Sequence, residues 1–392
     1  MNPRFDVVVF GAAGYTGKLV AEHLLNVYGV SGGLRWAMAG RDRAKLEKVR
    51  KEIGAPADLP LVIADAGDEQ SLHAMCADTK VVATTVGPYR LHGSGLVAAC
   101  ADQGTDYVDI TGESLWIREM LAHDARAKAS GARIVFSCGF DSIPFELGVF
   151  VLQKAAKKKL GAPVPRVRGR VRRIYPGVRG GVSGGSFATF MDLTAEMQKN
   201  PELARLMGDP FALTPGFKGP EQPDGSAPYE DKIAGSWVGP FFMAGINTKV
   251  VHRCNYLLGH AWGKDFKYDE MAIIDGPPTG GSQPGPPFAG PNMPKPGEGP
   301  SKADREGGCY EILFIGEAAD GRTLRTTVTS VFDPGADSTS RLMAESAVCL
   351  AKDISRDTTR GGVWTAASAM GDALVTRLEA KGGLTFKTDS GV

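Results

Sequence analysis

The chain has 392 residues, long for one domain and enough to bury two cores. Its 45 basic and 44 acidic side chains nearly cancel, and 43% of residues are hydrophobic, so a globular protein is expected without nucleic acid or an anionic membrane as main partner. Six scattered cysteines without a CxxC pair, no signal peptide and no apolar run of ~18 residues point to a cytoplasmic protein with no metal, disulfide framework or transmembrane segment; peripheral lipid contact and a homodimer stay open.

From residue 5 to about 158, short apolar runs alternate with helical patterns. A strand is predicted over Phe5–Phe10, then a helix to about Val27, a strand over Leu34–Ala39 and a helix over Asp42–Ile53. Strands Leu61–Ala64, Val81–Val86, Tyr107–Ile110 and Arg133–Ser137 follow, separated by helices over Glu69–Cys76, Gly95–Gln103 and Ser114–Ala129, with another helix from about Phe145. Such alternation predicts a parallel sheet covered on both faces, and six strands suit the doubly wound Rossmann sheet. After Lys159 the texture changes. Val164–Tyr175 alternates Val and Arg and reads as a strand with one wet face; the nine basic residues between Lys154 and Arg173 belong to that reading. A glycine-rich turn at 177–185, a helical segment near Phe187–Gln198 and irregular chain to about Gly245 come next. Asp275–Gly308, about half Gly and Pro, is expected to be a mobile loop or lid. Strands Tyr310–Glu317 and Thr323–Phe332 and helices Ser340–Lys352 and Thr365–Lys381 complete the chain.

Gly11-Ala12-Ala13-Gly14-Tyr15-Thr16-Gly17 falls between the first strand and the first helix, the context in which such a motif binds a dinucleotide diphosphate. Gly11 permits the tight turn, Gly14 a close approach of phosphate, and Gly17 close packing of helix on strand. The helix N-terminus then favours the negative charge. Past the second strand stands Arg41, where an NAD-binding chain has a carboxylate; a guanidinium there suits the 2′-phosphate of NADP(H), although a shift of one residue would make Asp42 a ribose acceptor. Asp65, after the third strand, lies beside the adenine or caps the next helix. Val86-Gly87-Pro88 ends the fourth strand at the topological switch point, near the expected nicotinamide ribose. Tyr89 and His92 are the nearest proton-bearing groups and hence the catalytic candidates, with His92 equally well read as an ordinary loop residue. Asp141 and Ser142, ahead of Pro144, read more simply as a helix start, and Cys138 as a packed thiol.

Together these stretches resemble the saccharopine dehydrogenase-like oxidoreductases, and within them the trans-acting enoyl reductase group. The resemblance rests on Gly11–Gly17, Ala39-Gly40-Arg41, Val86-Gly87-Pro88-Tyr89, Leu96–Cys100, Tyr107-Val108-Asp109 with Thr111-Gly112-Glu113, Cys138-Gly139-Phe140-Asp141-Ser142-Ile143-Pro144, Asn247–Arg253 and Gly361–Thr365. It implies an NADP-binding Rossmann domain (1–145), a second α/β domain (146–339) and C-terminal helices (340–392) returning to the first. The implied reaction is NADPH-dependent reduction of an enoyl thioester in lipid or polyketide metabolism, on a small-molecule or carrier-protein-bound acyl substrate. Reduction of an imine or amino-acid substrate, for which Arg172, Arg173 and Arg179 are candidate carboxylate clamps, and a non-catalytic NADP(H)-binding protein are the alternatives. The family pattern commonly has Ser-Asp where this chain has Phe145-Glu146, and Arg-Arg-Ser where it has His252-Arg253-Cys254; both departures are expected near the substrate.

Overall fold

Six apolar strands set the frame. Residues 3–175, 183–277, 294–295 and 297–390 are described by a computed structural model. β1 (Phe5–Phe10) is buried at every position, as a central parallel strand must be. Around it lie β2 (Trp36–Gly40), β3 (Leu61–Ile63), β4 (Thr79–Thr84), β5 (Asp106–Asp109) and β6 (Arg133–Val135). Val7 and Val9 point to one core and Val8 and Phe10 to the other, following the period of two along a strand. The first core is covered by α1 (Tyr15–Tyr28) and α2 (Arg43–Glu52), the second by α3 (Glu69–Ala77) and α5 (Ser94–Gln103), with the short α4 (Tyr89–His92) before it. The predicted helix Ser114–Ala129 is two pieces, α6 (Ser114–Met120) and α7 (Asp124–Ser130), separated by a tighter turn.

α8 (Ile143–Leu160) leaves this sheet, spans the division placed at residue 145, and packs on a second sheet. Gly148 is needed there, because a Cβ would stand 2.1 Å from the Phe314 ring. β7 (Arg166–Tyr175) is followed by α9 (Gly184–Lys199) and α10 (Pro201–Gly208). Regular structure missed by the sequence comes next: β8 (Tyr229–Asp231), β9 (Ser236–Pro240), α11 (Ala244–Leu257) and β10 (Lys267–Ile274). After α12 (Lys302–Arg305), β11 (Cys309–Glu317) and β12 (Thr323–Ser330) form the expected antiparallel pair.

Of the β7 arginines only Arg172 and Arg173 are exposed, so most of the strand is not the wet face expected. Arg170 is fully buried and bonds Asp231 at 2.8 Å and Asp269 at 2.9 Å, while Arg168 meets Glu317 and Arg172 meets Glu311. Carboxylates on neighbouring strands absorb the charge that the sequence displays.

The end of the chain serves both sheets. α13 (Thr339–Lys352) and α14 (Ala366–Arg377) pack beside α1 through a buried cluster: Glu345 accepts from Tyr28 Oη at 2.6 Å and Arg377 at 3.1 Å, and pairs with His23 at 2.7 Å. β13 (Gly362–Trp364) adds to the first sheet, giving the all-parallel order β13-β6-β5-β4-β1-β2-β3. β14 (Leu384–Ser390) closes the second, ordered β14-β12-β11-β7-β10-β9-β8 and antiparallel except at β7–β10. The fold is α/β, a doubly wound parallel sheet joined to a mixed one, and the segment after residue 340 does not return to the first sheet alone.

Candidate active site

The turn after β1 is built as a cradle. Gly11 has φ +89°, and a Cβ on it would meet Thr85 Oγ1 at 2.8 Å. A Cβ on Gly17 would stand 2.2 Å from the Gly11 carbonyl oxygen, so helix and turn touch as expected. At Gly14 a Cβ would meet only that same oxygen, at 3.2 Å, leaving space in front of the helix end. Ala12 is tied down by its amide, which donates to Ala39 O, while the amides of Tyr15, Thr16 and Gly17 find no acceptor among the described residues. Free amides facing open space fit a diphosphate. The Tyr15 side chain turns away to donate to Pro300 O at 2.7 Å, with Gly299 against its ring.

That contact revises the loop expectation. Residues 278–293 and 296 lie outside the described residues, but the end of the stretch is packed. Glu298 O accepts from Gly184 N at 2.9 Å, Ser301 and Asp304 form a reciprocal cap, and Arg305 pairs with Asp337.

Arg41, just after β2, is exposed and has no partner among the described residues, as a 2′-phosphate ligand would require. Asp42 is the N-cap of α2 and accepts from Lys45 N at 3.1 Å, which gives its carboxylate a structural task. Asp65 accepts from Gly67 N at 2.9 Å in a local turn; the cap of α3 is Asp68 instead.

Thr85, Val86, Gly87 and Pro88 leave β4 half-buried, and α4 follows at once. Glu113, from beyond β5, holds this turn: its carboxylate accepts from Tyr89 N at 2.7 Å and Arg90 N at 2.8 Å. Tyr89 is buried, and its hydroxyl donates to Thr84 O at 3.0 Å; burial pushes it well above the usual tyrosine value. His92 is exposed on α4. Arg90 makes a two-pronged pair with Asp192 of α9, which lays that helix across the strand ends. The Asp109 carboxyl takes the amides of Thr111 and Ser137 and the Tyr107 hydroxyl, locking the ends of β5 and β6 together. Burial lifts it to about 7.

Beside these groups stands Asp141. Ser142 occupies the N-cap position of α8, yet its hydroxyl is buried without a partner and makes no capping bond, so the helix-start reading covers neither side chain. The half-buried Asp141 carboxyl accepts from no other residue, and burial raises it to about 7. It lies against Gly112, where a Cβ would meet Asp141 Oδ2 at 2.7 Å and Ile246 Cδ1, from α11, at 3.1 Å. In the sequence Asp141 reads as a cap; α11, which brings Ile246 against Gly112, shows there only as the Asn247–Arg253 stretch of the resemblance, with no helix expected over it. Cys138 is fully buried and donates to Val135 O, a packed thiol.

The two departures from the family pattern lie away from this cleft. Glu146 is buried at the start of α14, accepting from Ala367 N at 3.0 Å, and the Cys254 thiol rests on it. They change the packing between α8, α11 and α14, not the strand ends. Among the described residues no group of three or more His, Cys, Asp or Glu is placed to hold a metal, and no helix is long and apolar enough to cross a membrane.

Comparison with known proteins gives this geometry a family. The saccharopine dehydrogenase NADP binding domain matches residues 7–135. The chain is 37% identical to the trans-acting enoyl reductase of Mycobacterium tuberculosis over 411 residues, spanning 97% of this chain and 96% of that one. The trans-acting enoyl reductase of Mycobacterium ulcerans matches with the same identity and coverage. Among solved structures, the apo saccharopine dehydrogenase (L-Glu forming) of Saccharomyces cerevisiae superposes over 98% of this chain and 99% of its own with a TM-score of 0.54; at 12% identity that likeness concerns the fold alone. The chain therefore belongs to the saccharopine dehydrogenase-like NADP-dependent oxidoreductases, in the group of the trans-acting enoyl reductases, and its first domain is one that binds NADP(H).

Proposed function

We propose that this oxidoreductase reduces the C=C bond of an enoyl thioester in lipid or polyketide metabolism, on an acyl group offered as a small molecule or on a carrier protein. The cofactor lies with its diphosphate on the amides of 15–17, its 2′-phosphate at Arg41 and its nicotinamide end by Val86, Gly87 and Pro88. Asp65 stands on the adenine side, and Ala12 and Ala13 complete the turn. Bound NADPH supplies the hydride.

The observation that favours this substrate is the state of the cations around the cleft. A zwitterionic amino acid needs free Arg or Lys for its carboxylates. Arg90 is held by Asp192, and Lys249 and Arg253 are buried against main-chain carbonyls. Of the arginines considered for that role, Arg172 is paired with Glu311, Arg173 is exposed on β7 and is the one of them left without a side-chain partner among the described residues, and Arg179 lies outside those residues. A neutral enoyl thioester asks for no such clamp. The chain's own residues contribute a fixed floor, through the Glu113-held turn, and a partly desolvated cleft that shields a hydride from water.

Tyr89 and His92 remain the two proton-bearing groups of the turn. The Tyr89 hydroxyl is directed at the Thr84 carbonyl, which supports a positioning role, and His92 is exposed on α4. The test is consumption of NADPH by the purified protein with an enoyl thioester, its saturated counterpart and a keto acid plus amine. Turnover confined to the enoyl thioester supports the proposal; turnover confined to the imine-forming pair replaces it with the amino-acid reading.

A further inference from the structure

Around the ends of β4, β5 and β6 nearly every ionisable group has an internal partner. Glu113 holds the amides of Tyr89 and Arg90, Asp109 those of Thr111 and Ser137, and Tyr89 the Thr84 carbonyl. Asp141 is the exception among the enclosed groups, since no donor beyond its own backbone amide reaches it. Its place is nonetheless fixed. Cys138 N donates to Asp109 O at 2.7 Å, Phe140 N to Thr339 Oγ1 at 3.1 Å and Ser142 N to Ser137 O at 3.0 Å, so the loop carrying it is pinned on both sides. A pinned loop that holds one enclosed, unbonded carboxyl beside the strand ends is the arrangement a proton donor needs.

We propose that Asp141 is the acid of the reaction, giving its proton to the substrate carbon next to the thioester carbonyl. This rests on the enoyl thioester reading. The hydride forms the new C–H bond at the β-carbon with its own electron pair, and the C=C pair moves toward the carbonyl as an enolate. The Asp141 O–H bond then breaks as the α-carbon C–H bond forms. Asp141 is left as a carboxylate, which takes its next proton from water, so one NADPH and one proton are consumed per double bond. Burial holds this carboxyl at about 7, so a large share of molecules carry the proton at neutral pH. Its surroundings agree: Tyr89 on α4, which feels its charge, brings no positive charge, Gly112 and Ile246 of α11 lie beside it, and no cation is paired with Asp141 among the described residues.

The experiment compares the wild type with Asp141→Asn and Asp141→Ser, reading cofactor binding and turnover against pH. A carboxylate beside the cationic ring of NADP+ has its pKa lowered by ~1 unit or more, so wild-type NADP+ binding should tighten by roughly tenfold as pH rises through about 7. NADPH, whose ring is neutral, should show no such gain, and both variants should bind NADP+ with a flat profile. Turnover of an enoyl thioester should fall by ~10²–10⁴ in Asp141→Asn with NADPH affinity retained. The wild-type rate should fall above about pH 7, as the acid loses its proton. Wild-type NADP+ binding as flat as that of the variants, or full turnover in Asp141→Asn, overturns the assignment of Asp141 alone. pH-linked NADP+ binding with no turnover of any enoyl thioester by the wild type overturns instead the substrate reading, and with it the atom assigned to receive the proton.

Discussion

Replacing Arg41 with alanine should separate the two dinucleotides. Arg41 follows β2 with an exposed side chain and no internal partner among the described residues, so its removal takes no contact from the fold. Asp42 keeps capping α2 through Lys45 N, which holds the turn in place. A charge-assisted bond from guanidinium to phosphate is worth about 1.5–3 kcal/mol. Exposure to solvent places this one in the lower half of that range, about 1.5–2 kcal/mol, because water screens it. The expected loss in NADPH affinity is therefore roughly 10- to 30-fold, at about 1.4 kcal/mol per decade. NADH, lacking the 2′-phosphate, should change by less than about twofold. Calorimetric or fluorescence titration of both cofactors measures this, at one fixed ionic strength because an exposed pair weakens with salt. Equal losses for NADPH and NADH, or no loss of NADPH, would refute the placement of the 2′-phosphate at Arg41.

Gly14→Val should fold, since a Cβ there meets only the Gly11 oxygen at 3.2 Å, yet lose both cofactors by filling the phosphate space; retained NADPH affinity in a folded variant would move the phosphate site elsewhere. Tyr89→Phe removes a buried bond to Thr84 O and should cost about 1 kcal/mol in denaturant unfolding, while turnover falls less than about tenfold. His92→Ala should leave turnover within about threefold, because the side chain is exposed; a loss of ~10²-fold or more in either variant would return the proton to the turn after β4. Stability should also depend on pH. Burial raises Asp109, Asp141 and Glu146 to about 7 and Glu270 to about 8, so the folded chain holds protons that the unfolded chain releases. Their contribution is present at low pH and is lost as pH rises from about 4 to about 8. At Asp6, bonds from Arg35, Lys80 and Lys352 outweigh burial and hold the carboxyl below its usual range, so its contribution is lost on the acid side instead. Thermal melts from about pH 6 to about pH 9 should show Tm falling, and a rising Tm would contradict these assignments.

The parts of the molecule legible in the sequence are those set by local pattern. β1 announces itself because a central parallel strand is apolar on both faces, and Gly17 follows from its contact with the Gly11 carbonyl six residues back in the same turn. What was hidden depends on distant partners. β13 is three residues long and exists only by pairing with β6, and β14 is held by β12. Nothing near Arg170 in the sequence shows that Asp231 and Asp269 will bury it, so a charged strand looked wet. Asp141 looked like a cap for the same reason. A sequence shows that a helix begins there, but only the packing of Gly112 and Ile246 shows a carboxyl without a partner. Tyr89 was placed at the right turn, while the direction of its hydroxyl depended on Thr84, five residues back on β4.

The central claim is that hydride passes from NADPH to the β-carbon of an enoyl thioester, with the second hydrogen drawn from water through the protein. Mass spectrometry of the acyl product, formed with NADPH deuterated at the transferable C4 position, tests both halves together. The account predicts a saturated thioester carrying one deuterium at the β-carbon in ordinary water. With unlabelled NADPH in deuterated water the single label should sit at the α-carbon. An unreduced enoyl thioester alongside labelled amine from an imine substrate would contradict it.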